Sequence, residues 1–151
     1  MNSTLNTQNL YDQDFVEWCE ITAAQLRDRK FEQVDLENLI EEIEGLAKRD
    51  RRELKNRLTV LLAHLLKRIY VNSPENFQGW ELTIREQRRQ IQDLLQDSPS
   101  LKSYIGEVFN TAYQNALDDV RLEYQQNEFP GTWEFELNSE SLLSDNYWVV
   151  Q

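Results

Sequence analysis

One cysteine, one histidine, four glycines and three prolines are all that this 151-residue chain offers of the residue types that build disulfide frameworks, metal cages and tight turns. Cys19 has no partner for an internal bridge, which excludes a disulfide scaffold and suits a reducing compartment. No cysteine pair stands at zinc spacing, no glycine-rich loop can cradle a phosphate, and no serine-nucleophile elbow is present. Basic residues are also in deficit. Sixteen Lys and Arg stand against 27 Asp and Glu, and the net charge of -11 repels nucleic acid and anionic membrane at long range. No apolar run approaches the roughly 18 residues of a membrane span. Met1 to Asn9 is polar and lacks the basic start and apolar core of a signal peptide. The expected setting is the cytoplasm, with no membrane partner.

What remains is a chain with 40% apolar and 28% charged residues, enough for one domain with a single core. The expected organisation is a flexible start over residues 1–9, a helical bundle over 10–128 and a C-terminal tail over 129–151. Asp14 followed by Glu17 reads as a capping box opening a first helix that ends near Lys30. Phe15, Trp18, Cys19, Thr22, Ala23 and Leu26 lie on one face of that helix. Asp35 caps a second. From Leu36 to about Val71 the apolar residues keep helical spacing, and Gly45 is the one place where a bend or break could fall. A third helix is expected from about Phe77 to Gln96 and, after Ser98-Pro99 as its cap, a fourth to about Gln126. Past Phe129-Pro130-Gly131 the period changes, with Trp133, Phe135 and Leu137 alternating with polar residues. One strand has no sheet to join, so the expectation is an extended aromatic tail lying on the bundle, anchored by Leu142, Leu143, Tyr147 and Trp148. The fold class is thus all-α: an up-and-down four-helix bundle with a long second helix and an aromatic C-terminal tail.

Five blocks stand in family order: Tyr11-Asp12-x-Asp14-Phe15, Leu39-Ile40-Glu41-Glu42-Ile43-Glu44, Arg57-Leu58-x-Val60-Leu61-Leu62-x-His64-Leu65-Leu66-Lys67, Ile84-x-Glu86-Gln87-Arg88 and Ser98-Pro99-Ser100-Leu101. With them the chain, over roughly residues 10 to 149, resembles a bacterial family catalogued as domain of unknown function twenty-nine and common in cyanobacteria. The resemblance implies an all-helical bundle and no particular activity.

Three signals bear on chemistry. Glu17-x-x-Glu20 and Glu41-x-x-Glu44 look like the paired carboxylates with which all-helical nucleotide hydrolases hold magnesium or manganese, since acids three apart share a helix face. Chance placement of the acids gives roughly five pairs at this spacing, and five occur, so the spacing alone singles out nothing. Lys48, Arg49, Arg51, Arg52, Lys55 and Arg57 could grip phosphates, but at helical spacing they wrap around the helix instead of forming a stripe. Asp50, Arg57 and His64 recur every seven residues beside the apolar stripe, with Glu53 and Arg68 close by. At a core margin they need partners, which Glu86, Gln87 and Arg88 or Asp118 and Asp119 could supply. As a network they fix helix register; as a site, His64 acts as acid, base or ligand beside a carboxylate. Cys19, on an apolar face, reads as a small hydrophobe. Three functions follow: a non-enzymatic interaction protein binding a protein partner or itself, a metal-dependent phosphate hydrolase using Glu17, Glu20, Glu41 and Glu44, and a nucleic-acid module using residues 48–57. The first is the leading expectation, and it requires no cofactor.

Overall fold

The computed structural model describes residues 10–149; the expected flexible start, residues 1–9, lies outside them. The described chain is all-helical, without a strand. Its contacts sort into two compact units, one up to Arg49 and one from Asp50 onward, where the sequence led us to expect one bundle.

In the N-terminal unit, a helical turn over residues 10–13 leads into α1, Phe15–Arg27. Asp14 caps it, its Oδ1 accepting from the Glu17 backbone N–H at 3.1 Å. α1 stops three residues short of the expected Lys30 because Arg29 takes a left-handed φ of 58°. The Lys30 and Arg29 N–H groups then close back on the carbonyls of Gln25 and Leu26 at 2.8 and 3.1 Å, satisfying groups the helix end leaves free. The buried face also differs from the expected one. Trp18, Thr22 and Gln25 are buried, while Phe15, Ala23 and Leu26 are exposed and Cys19 is half-buried. Trp18 is the centre of this small core, with Tyr11 edge-on at 4.9 Å between ring centroids and Phe15 stacked at 5.8 Å. Three buried polar atoms, Trp18 Nε1, Thr22 Oγ1 and Gln25 Oε1, find no hydrogen-bond partner among the described residues. A 3-10 turn, Phe31–Gln33, leads to Asp35, whose carboxylate accepts from the backbone and side-chain amides of Asn38. There α2 begins and runs unbroken through Gly45, from Leu36 to Tyr70. At 1.5 Å per residue it is about 52 Å long.

The second unit holds the large core. Here α2 contributes Leu54, Leu58, Leu61, Leu62, Leu65 and Leu66, all at most 1% exposed. Against them pack α3, Pro74–Asp97, through Trp80, Ile84 and Ile91, and α4, Leu101–Glu123, through Ile105, Phe109, Tyr113, Ala116, Leu117 and Val120. Proline takes the first helical position at Pro74; after Ser98-Pro99 the chain makes one more turn, and α4 starts at Leu101 with Ser100 as its cap residue.

The tail alternates at Trp133 and Phe135, both half-buried, but Leu137 is exposed and a short helix follows that the pattern did not announce: α5, Ser139–Ser144, capped by the Asn138 side chain. Phe129 and Leu142 are buried in the core, and Trp133 stands edge-on to both Phe109 and Tyr113 at 6.0 Å. Polar contacts fix the path. Tyr113 Oη donates to the Pro130 carbonyl at 2.6 Å, and the buried Arg88 donates through Nε to Leu142 O at 2.9 Å and through Nη2 to Asp145 O at 2.5 Å.

Candidate interaction surface

Glu17, Glu20, Glu41 and Glu44 are all exposed. Among the described residues no three His, Cys, Asp or Glu side chains converge where they could hold a metal ion, so the helix-face pairing that the spacing implied does not assemble into a four-carboxylate centre. The basic run is likewise spread around its helix: Lys48, Arg49, Arg51 and Arg52 are exposed, whereas Lys55 and Arg57 are half-buried.

The heptad line does reach across the second unit, at one point only. Arg57 Nη1 donates to Gln87 Oε1 on α3 at 3.3 Å, while its Nε donates to Glu53, one turn earlier on α2, at 3.1 Å. Its charged partner is therefore not buried, contrary to the expected cross-helix ion pair: Glu53 is 43% exposed and Arg57 28%. His64 turns to its own helix instead, with Nδ1 2.8 Å from the Val60 carbonyl, so that nitrogen carries the proton. Burial lowers the His64 pKa, Lys67 lowers it further, and the Val60 contact and Glu123 oppose the shift. Asp50 is half-buried and makes no hydrogen bond or ion pair among the described residues. These three residues therefore do not form one constellation.

A groove of about 1090 Å³ runs along α3 beside the tail, lined among others by Phe77, Arg85, Arg89 and Trp148. Its most buried cation, Arg88, is already committed to the two tail carbonyls. Arg68 stacks on Phe77 at 3.7 Å and pairs with Glu81 at 2.9 Å. Burial lowers the Arg88 pKa, with Tyr147 and Asp145 acting the other way.

The feature left without a structural partner is apolar. On α2 an apolar stripe at intervals of three and four begins at Leu36 and continues through Ile40, Ile43 and Ala47; after a gap of seven, with Asp50 and Arg51 where it would continue, it resumes at Leu54, Leu58, Leu61 and Leu65. From Leu54 onward it is sealed in the core of the second unit. Over its first half Leu36, Ile40 and Ile43 are 60%, 46% and 58% exposed, and Leu46 beside them is exposed as well. The rest of the N-terminal unit exposes Phe15, Val16, Ile21, Leu26 and Phe31, so most of the large exposed hydrophobics of the described chain lie in this unit. On a flank of α2, Tyr11 Oη donates to Glu42, a bond that raises the tyrosine pKa to about 12. Sequence reasoning found the stripe but had no signal for where its cover ends.

These residues define an all-helical protein with an uncovered apolar helix face. It belongs to the family described as Domain of unknown function DUF29, whose family model matches residues 10–148. No curated protein and no solved structure matches the chain. No helix of the described residues is long and apolar enough to cross a membrane.

Proposed function

We propose that this protein is a non-enzymatic helical interaction protein of the cytoplasm, and that the N-terminal half of α2, with its neighbours on α1, is the surface it presents. In this reading the second unit is an up-and-down arrangement of the C-terminal half of α2 with α3 and α4, joined by connections of three residues and closed by the aromatic tail. The observation that carries it is the exposure of Leu36, Ile40, Ile43 and Leu46 on one side of a continuous helix. Isolated exposed hydrophobics are ordinary, but a contiguous set on a rigid element is the usual sign of a contact surface.

Placing a photo-crosslinking amino acid at Ile43, in the cells that make the protein, tests this. A discrete adduct is expected from Ile43 and not from Glu107, an exposed position on α4. Irradiation that yields no adduct at Ile43 overturns the reading.

A further inference from the structure

We propose that the occupant of this surface is a second copy of the same chain, laid antiparallel along α2 with the two-fold axis near Leu46. The proposal rests on the interaction reading above and adds the partner and its direction.

The charge order along α2 carries it. Between Leu36 and Ala47 the helix bears Glu37, Glu41, Glu42 and Glu44 and no base. The next two turns reverse the sign, with Lys48, Arg49, Arg51, Arg52 and Lys55 against Asp50 and Glu53. Glu37, Glu41, Glu44, Lys48, Arg49, Arg51 and Arg52 are all exposed and flank or adjoin the apolar stripe. Two such helices side by side and parallel set acid on acid and base on base. Turned antiparallel, the acidic half of each lies along the basic half of the other, twice, by symmetry. Slipping the antiparallel pair toward the N-terminus again opposes the acids of the two copies, so the charges also select the register, centred where the sign changes.

The apolar stripe fits the same arrangement. Leu46 and Ala47 reach the proposed axis and meet their own copies there, while Ile43 and Ile40 lie along the aliphatic stems of Arg49 and Arg52 of the second copy. The stretch from Leu36 to Lys55 gives an overlap of about 30 Å. A net charge of -11 on each copy opposes approach at long range, which leaves orientation and specificity to the local order of charges.

Sedimentation equilibrium of the full chain is the test. A dimer is expected, and Ile40→Glu/Ile43→Glu is expected to be monomeric with unchanged helical circular dichroism and unchanged tail tryptophan fluorescence. Glu37→Lys/Glu44→Lys and Lys48→Glu/Arg51→Glu should each weaken self-association by about tenfold or more, and an equimolar mixture of the two should recover it. In a Cys19→Ser background, Leu46→Cys should form an intermolecular disulfide and Glu37→Cys should not; disulfides at both positions mean parallel pairing and overturn the direction. A wild-type chain that stays monomeric at its highest soluble concentration overturns the proposal altogether. If that monomer still gives a discrete Ile43 photoadduct of a size other than twice the chain, the interaction reading stands and only the identity of the partner has failed. If it gives none, both fail.

Discussion

Arg57 sets a small energetic scale for the polar margin of α2. Its partner Glu53 is on the same helix and largely hydrated, and Gln87 is neutral, so Arg57→Ala is expected to cost about 0.5 kcal/mol in urea unfolding. A loss of about 3 kcal/mol, the scale of a broken buried ion pair, would show that the guanidinium has a partner this geometry does not hold. The seven-residue recurrence identified Arg57 as bordering the core, and it does touch α3. What the spacing could not show is that a long side chain at a margin can turn back one turn along its own helix. His64 did the same, to Val60. Its lowered pKa has a signed consequence. The unfolded chain takes up the His64 proton near its ordinary value of about 6.5, and the folded chain resists it, chiefly through burial. The stability this gives is complete above the unfolded value, falls as pH drops from there toward the lower folded value, and levels off below it. Unfolding midpoints measured between about pH 7 and 5 should slope downward in the wild type and more shallowly in His64→Gln. Equal slopes would place the histidine outside the pH dependence.

At the scale of elements, caps and breaks were the legible part, and tertiary cover was not. Asp14 and Asp35 stand where the sequence placed helix starts, and their carboxylates accept the expected backbone N–H groups. The end of α1 was misplaced because an arginine in the left-handed region carries no sequence mark as a glycine would. Gly45, flagged as a weak point, lies inside a continuous helix, and a methyl group added there meets nothing within 4 Å. Gly45→Ala should therefore raise stability by about 1 kcal/mol, read as a higher thermal midpoint; a lower one would mean the helix depends on freedom at this residue. α5 was missed because a six-residue helix carries too little periodicity to stand out from a loop. It is held by Arg88, which bonds the carbonyls of Leu142 and Asp145. Arg88→Leu strands both and should cost about 2–3 kcal/mol, with new protease cuts between residues 139 and 149 and red-shifted tryptophan emission. Unchanged cleavage would show that Leu142 and Trp133 hold the tail without it.

For the whole molecule, the all-helical class and the single long helix were readable from spacing. The division of the chain at Arg49 was not, because an amphipathic stripe has the same period whether or not another helix lies on it. The 24 residues of α3 and 23 of α4 cannot cover the 35 residues of α2, and helix lengths alone hinted at this. That one continuous helix is sealed along its second half and exposes an apolar face along its first has a consequence in time. Backbone amides from about Leu54 to Leu66 can trade their protons for deuterium only when the core of the second unit opens. Those from Leu39 to Ala47 belong to the smaller N-terminal unit, whose opening exposes far less buried surface. In the monomeric Ile40→Glu/Ile43→Glu variant, deuterium uptake followed residue by residue is expected to show a step within one uninterrupted helix, slow on the C-terminal side and orders of magnitude faster on the N-terminal side. Occupation of the bare face would flatten that step, so the same exchange profile would record the moment the face is covered.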